Sequence, residues 1–428
     1  MTCFVKSYGA AADGITDDTA AIQAAVDACA AAGGGNVIAE AGMYVIRSIY
    51  MKDNVTFVLE NGAKLIALPS TERGIFDFAF FLFRNCHSAA LIGEGILDGN
   101  DLTFWDKKKP EEITAHPFRY KAKPGVSRPR ILAIVDSEEI RISGITLAHA
   151  PGYAMHVIRS HGVRINGISV RNNLTGPNTD GIHVSSSEDV RISDCSLSCG
   201  DDAIAIDSCW DKPCKYVTVT NCVINTTINA IRLYTNIDVR SRENYRMDVS
   251  DIVITGCTVN ACGIFNITAE RGRISNVVFA NFVIDTAPER TGTTAFFMTY
   301  HGEIEDISVS NVISNHNGAI TLVGEAGRTI RHVSFDNVRM RITPVFKKYG
   351  LGSLPENLCE NYVVHHYTPY GVYIRDCEDI ALRNFDLSFG ESNIKDPIPA
   401  ATIIRSEKID LTTFRGQSQG NAPIILEK

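Results

Sequence analysis

Short apolar stretches recur along this chain with a period too long for a helix and too regular for a loop. From about residue 89 each unit has a β-branched run, a corner of Gly, Asn or Asp, and a second β-branched run. The clearest copies begin at Ile140, Val163, Val190, Val217 and Ile252. Weaker copies begin near Val277, Ile307, Val333 and Ile380. A spacing of roughly 23 to 30 residues is the mark of a solenoid in which each turn stacks on the last. The Leu consensus and per-repeat helix of a leucine-rich solenoid are absent. Short β-branched strands with Gly, Asn and Asp corners predict an all-β fold, a parallel β-helix of about ten coils.

Only the start of the chain has a helical period. Ile22, Ala25, Val26 and Cys29 form one apolar stripe, Asp17-Asp18-Thr19 supplies acids and a cap before it, and Gly33-Gly34-Gly35 ends it. This predicts a helix over about Asp18–Ala32 that caps the solenoid and covers a sheet edge. Strands are expected at Asn36–Ala39, Met43–Ile46, Val55–Leu59 and Lys64–Ala67. The chain then reads as one β-helix domain, 1–428, with cap and first strands in 1–88, cleft-bearing coils in 89–270 and later coils in 271–428. Three stretches break the period: Phe104–Arg130, Thr235–Val249 with Arg240, Arg242 and Arg246, and Thr343–Tyr370 with Lys347, Lys348, His365 and His366. Insertions in a solenoid often project from the ligand-binding face.

Composition narrows the function classes. With 428 residues, a formal charge of −8 and no basic stripe, the chain does not read as a nucleic-acid binder. No apolar stretch is long enough to span a membrane, and no leader is visible at Met1–Lys6. Cys195, Cys222 and Cys257 recur in one repeat context, which suggests stacked core thiols in place of a disulfide or zinc framework. Cys209 and Cys214 could form a bridge or a metal pair. Free thiols and no leader lead to the expectation of a cytoplasmic protein, or a secreted one if a leader has been removed. No cofactor or metal is expected.

Candidate chemistry is concentrated at two consecutive corners. Asn178-Thr179-Asp180 is followed by Gly200-Asp201-Asp202 at the matching place one coil later. Adjacent strands lie roughly 4.8 Å apart, so Asp180, Asp201 and Asp202 should converge on one patch. Like charges so close raise the pKa of at least one, and a proton donor beside ionised carboxylates is equipment for splitting a glycosidic bond. An Asn/Asp ladder of turn residues explains one such acid, but not three at matched positions.

These motifs belong to a connected set. Tyr8–Asp18 (YGAAADGITDD), Gly93–Gly99 (GEGILDG), Arg128-Pro129-Arg130, Ala150–His156 (APGYAMH), Asn178–His183 (NTDGIH) and Gly200–Ile206 (GDDAIAI) follow one another. Over about residues 1–235 the chain resembles glycoside hydrolase family 28, the polygalacturonases and rhamnogalacturonases. The resemblance implies a right-handed parallel β-helix and inverting hydrolysis, with Asp201 as general acid and Asp180 and Asp202 activating water. The family's Gly-His-Gly and Arg-Ile-Lys segments are not recognisable. Matching the strands by apolar register places Asn229 where the family histidine would stand.

The same register sends Ile182, Ile204 and Ile231 inward and His183, Arg232 and Tyr234 outward. Arg232 could hold a uronate carboxylate in a bidentate pair or neutralise the acid cluster. His183 should orient a carboxylate or touch sugar. Asn178 and Asn266 are further polar candidates, and Trp105 could stack on a sugar or pack its loop. The expected partner is an oligosaccharide or polysaccharide, pectin-derived or otherwise uronate-containing, cleaved in exo mode. The alternatives are a rhamnogalacturonan-type glycosidase, a β-helix lyase or epimerase, and a non-catalytic carbohydrate binder.

Overall fold

The computed structural model describes residues 1–69, 76–107, 120–235, 247–287, 292–318, 320–327, 329–343, 371–391, 397–420 and 422–427. The fold is a right-handed parallel β-helix, as the repeat predicts. The chain divides into two compact units, Met1–Ala205 and Ile206–Lys428, taken in turn.

In the first unit a helix at Thr19–Ala31 buries Ile22, Ala25, Val26 and Cys29, the stripe read from sequence. Within Asp17-Asp18-Thr19 the two acids have different tasks. Asp18 does not cap the helix; its carboxylate accepts from the Ala11 and Ala12 amides at 2.7 and 3.1 Å and so ties down the preceding loop. Asp17 accepts from the Thr19 amide instead. At the far end Gly34 donates to the Cys29 carbonyl with φ +111, a conformation that suits glycine. The predicted strands form at Gly35–Ala39, Gly42–Ile46, Val55–Leu59 and Ala63–Ala67.

Each later coil of this unit is built of three strands. Met155–Ile158, His161–Asn166 and Ser169–Arg171 make one; Ile182–Ser185, Glu188–Ser193 and Ser196–Cys199 make the next, paired in parallel with the first. Parallel stacking without offset places like residue over like. Leu91, Ile142, Ile165 and Ile192 form one buried column. The corners between strands take positive φ at Gly144, Gly167 and Asp194, which is why the repeat shows Gly or Asp there.

The second unit repeats the scheme with longer strands. Val249–Asn260, Gly272–Asp285, Gly302–His316, Ile330–Ile342 and Cys377–Phe389 each run two of the short sequence stretches together around a corner. Ile254, Phe279, Val309, Phe335 and Leu382 stack as a buried column. The corner asparagines Asn281, Asn311 and Asn337 all have φ near +55 to +60 and bond to one another along the stack. Cys222 and Cys257 stack in register, both buried. The described cysteines, Cys209 and Cys214 among them, form no disulfide.

Candidate active site

The acids of the first unit stand on loops that lead into stacked strands. Asn178 has a left-handed φ of +53, which turns the chain so that Asp180 stands two residues before the strand Ile182–Ser185. Asn172 fixes that loop from within. Its amide donates to the Thr179 carbonyl at 3.1 Å, and its side-chain oxygen accepts from the Ala150 amide. Thr179 Oγ1 in turn accepts from the Gly200 amide at 3.1 Å, linking the two acid-bearing loops. A Cβ on Gly200 would lie 2.5 Å from that hydroxyl, so the close approach requires glycine.

Backbone bonds then set the register. The Gly181 amide donates to the Asp202 carbonyl and the Ile182 amide to the Ala203 carbonyl, both at 2.9 Å. Asp180 therefore lies over Asp202, one coil spacing of roughly 4.8 Å apart. Asp201 is the neighbour of Asp202, and its Oδ1 accepts from the Asp202 amide at 3.1 Å. All three are buried. The buried thiol of Cys199 lies against Gly181, beside Asp180 in the chain. Burial first, and then Asp180, Asp201 and Asp202 in that order, push it well above the ordinary thiol value. The stacked backbone and the adjacency of Asp201 and Asp202 put the three acids at neighbouring positions on two coils.

Around this patch is a set of rings and cations. His183 Nδ1 bonds Asp180 Oδ2 at 3.1 Å, with both side chains buried. The Tyr153 ring stacks on His183 at 4.7 Å and 22°. His156 packs against both. Its pKa is held well below the usual value by burial and then by His183 and Arg130, so it is neutral. Arg130 Nε donates to His156 Nδ1 at 3.4 Å, which leaves the proton on Nε2 to be donated to Ser185 Oγ at 2.9 Å. Arg128 spends its two Nη groups on the Pro177 carbonyl and Asn178 Oδ1. Both guanidiniums feel the field of Asp180.

Trp105 does not reach for sugar. It is buried, donates Nε1–H to the Pro151 carbonyl at 2.9 Å, stacks on Tyr120 and closes on Gly176. Its strand, Trp105–Asp106, pairs with Lys121–Ala122, so the described ends of the first insertion brace the Asp180 loop. His149 is paired with Asp98, apart from this cluster.

The sequence of the family is matched by residues 45–349, as "Glycosyl hydrolases family 28". The chain belongs to this family. Residues 3–64 also match "Rhamnogalacturonase A/epimerase, pectate lyase-like". A probable polygalacturonase of Vitis vinifera is 29% identical over 226 residues, 48% of this chain and 44% of the relative. A polygalacturonase of Prunus persica is 31% identical over 215 residues, 48% and 51%. The chain spans about half the length of these relatives. An endo-polygalacturonase of Pectobacterium carotovorum subsp. carotovorum is 23% identical over 307 residues, 68% and 74%. The family 28 exopolygalacturonase of Yersinia enterocolitica superposes with a TM-score of 0.68 at 18% identity, covering 97% of this chain and 79% of that one. PfbA, a surface adhesin of Streptococcus pneumoniae, superposes at 0.59 with 16% identity, 96% and 94%. At such identities the superpositions show the fold alone.

The remaining candidates lie in the second unit. Asn266 stacks on Arg232 and its amide donates to Asn229 Oδ1 at 3.3 Å. The Arg232 guanidinium lies 4.5 Å from the Tyr234 ring centroid, near Asp207, Cys209 and Glu270, where burial pushes the Cys209 thiol far up and Arg232 opposes it. Arg240, Arg242, Arg246, Lys347, Lys348, His365 and His366 lie outside the described residues. In the sequence Arg130 and Tyr153 stand out only as parts of motifs. Their place on one ladder with Asp180 was readable only by counting strand register back from the acids.

Proposed function

We propose that this protein is an inverting glycoside hydrolase that cleaves α-glycosidic bonds in pectin-derived or other uronate-containing oligosaccharides, from the chain end. The observation that carries this reading is the trio of buried carboxylates on two stacked loops. In the reaction Asp201 gives its proton to the leaving oxygen, and Asp180 and Asp202 activate the water that attacks the opposite face. His183 fixes Asp180 by its bond to Oδ2. Family membership and the relatives named polygalacturonases support the reaction class and the substrate class.

Turnover of a panel of galacturonate oligosaccharides, followed by mass spectrometry, tests the substrate class and shows whether single sugars are released. Asp201→Asn should remove most of the ~10²- to 10⁴-fold that one acid–base group supplies; near wild-type turnover would refute the assignment. NMR of the first product should show inversion at the anomeric carbon. Retention excludes the mechanism, and an absorbing unsaturated product points to a lyase.

A further inference from the structure

Arg130, Tyr153, Asp180 and Asp202 occupy one rung position on four successive coils. The Ile131 amide bonds the Tyr153 carbonyl, the Ala154 amide bonds the Asp180 carbonyl, and the Gly181 amide bonds the Asp202 carbonyl. At roughly 4.8 Å per coil, Arg130 stands about 10 Å from Asp180 along the stack, with Tyr153 between them. Its guanidinium lies 4.0 Å from the Phe78 ring centroid and 5.1 Å from that of Tyr153. Such contacts hold a partly desolvated cation by its faces. A guanidinium forms hydrogen bonds in its plane, and the Nε–H is used on His156. Among the described residues no carboxylate ion-pairs with the Nη edge of Arg130.

Two cations of this unit feel Asp180, and they differ in this respect. Arg128 is committed to the acid loop through Pro177 and Asn178, whereas Arg130 keeps its Nη edge. A uronate approaching three buried carboxylates needs a cation to offset their charge, since an unpaired charge in a cleft is costly. A planar edge braced by two rings suits a bidentate carboxylate better than a flexible ammonium would.

We propose that Arg130 is a specificity-determining residue that binds the carboxylate of a uronate unit next to the cleaved bond. The proposal rests on the hydrolase reading above and names the group that selects its substrate. Arg232 in the second unit is the competing cation.

The test compares trigalacturonate with its methyl ester as substrates for the wild type, Arg130→Gln, Arg130→Lys and Arg232→Ala. Gln can still donate to His156 but carries no charge. Arg130→Gln should lower kcat/KM on the acid by about tenfold or more, mostly through KM, as expected for a lost charged hydrogen bond. On the ester it should change little. Arg130→Lys should lose less than Gln does, and Arg232→Ala should leave the acid-to-ester ratio near that of the wild type. Equal losses on acid and ester, or a ratio that moves with Arg232 alone, overturn the proposal. If Arg130→Gln does not fold, an unchanged ratio in Arg130→Lys overturns it. Calorimetric binding of the same two ligands to Asp201→Asn, with and without Arg130→Gln, reads the contrast without turnover. Failure of the hydrolase reading is therefore seen separately, as binding without cleavage; no binding of the acid overturns the Arg130 proposal as well.

Discussion

At the scale of single residues, the site depends on side chains that hold other side chains. Asp180 is buried, and a buried carboxylate is held in place by its partners. His183 is one, through a 3.1 Å bond, and Tyr153 fixes the imidazole by stacking on it. His183→Ala should therefore lower kcat by about tenfold or more, within the ~10²- to 10⁴-fold worth of a whole acid–base group. His183→Asn, whose amide can reach in the same direction as Nδ1, should recover part of the loss. Steady-state rates of both variants decide this. Equal rates for Ala, Asn and wild type would make His183 a plain ladder position. That His183 would serve a carboxylate was legible from strand alternation. That His156 stays neutral behind it was not, because its state follows first from burial and then from His183 and Arg130, the latter 26 residues back in the chain and one coil away in space.

At the scale of elements, the corners carry the fold. Asn311 has φ +55, donates its amide to Asn281 at 3.0 Å and accepts from Asn337 at 2.9 Å. A β-carbon in this region costs about 1–2 kcal/mol for residues other than Gly, Asn and Asp. Asn311→Ala should thus lower the unfolding free energy by about 1–2 kcal/mol or more. Asn311→Gly keeps the backbone conformation, loses only the ladder bonds and should cost less. Urea midpoints of the two variants test the order; Ala equal to Gly would mean the corner conformation is not what selects Asn. The periodic Gly, Asn and Asp in the sequence made these corners legible. The division of labour within Asp17-Asp18-Thr19 was less so: Asp17 meets the Thr19 amide, whereas the tertiary demand of the Ala11 and Ala12 amides takes the Asp18 carboxylate.

At the scale of the whole molecule, stability should depend on pH through a histidine far in sequence from the acids. His316 is fully buried, bonds the Cys262 carbonyl through Nε2 at 2.9 Å and accepts from the Gly318 amide through Nδ1 at 2.8 Å. Burial lowers its pKa from 6.5 to about 4, against the pull of the Cys262 and Ala261 carbonyls. In the unfolded chain it titrates near its ordinary value. Above pH ~6.5 it is neutral in both states and costs nothing. As pH falls towards 4 the unfolded chain takes up a proton that the folded one refuses. Stability should fall by up to about 3 kcal/mol over that range and no further from this group below it. Denaturant midpoints from pH 7 to 4.5, compared with those of His316→Gln, should show the wild type losing more. Parallel curves would mean that His316 contributes no linkage.

The coil, the corners and the pairing of the two acid motifs follow from residue order alone. These are local or periodic: β-branched runs favour strands, positive φ selects Gly, Asn or Asp, and stacked repeats align whatever they carry. Tertiary structure decided which residues meet those acids. Trp105 went to a loop and not to sugar, Cys199 came against Gly181 beside Asp180, and Arg130 joined the same ladder two coils from Asp180. Such neighbours are set by how many residues each coil spends on its loops. Loop length varies from coil to coil, whereas the register of the strands does not, so side chains far apart in sequence are stacked by backbone bonds that no local pattern records.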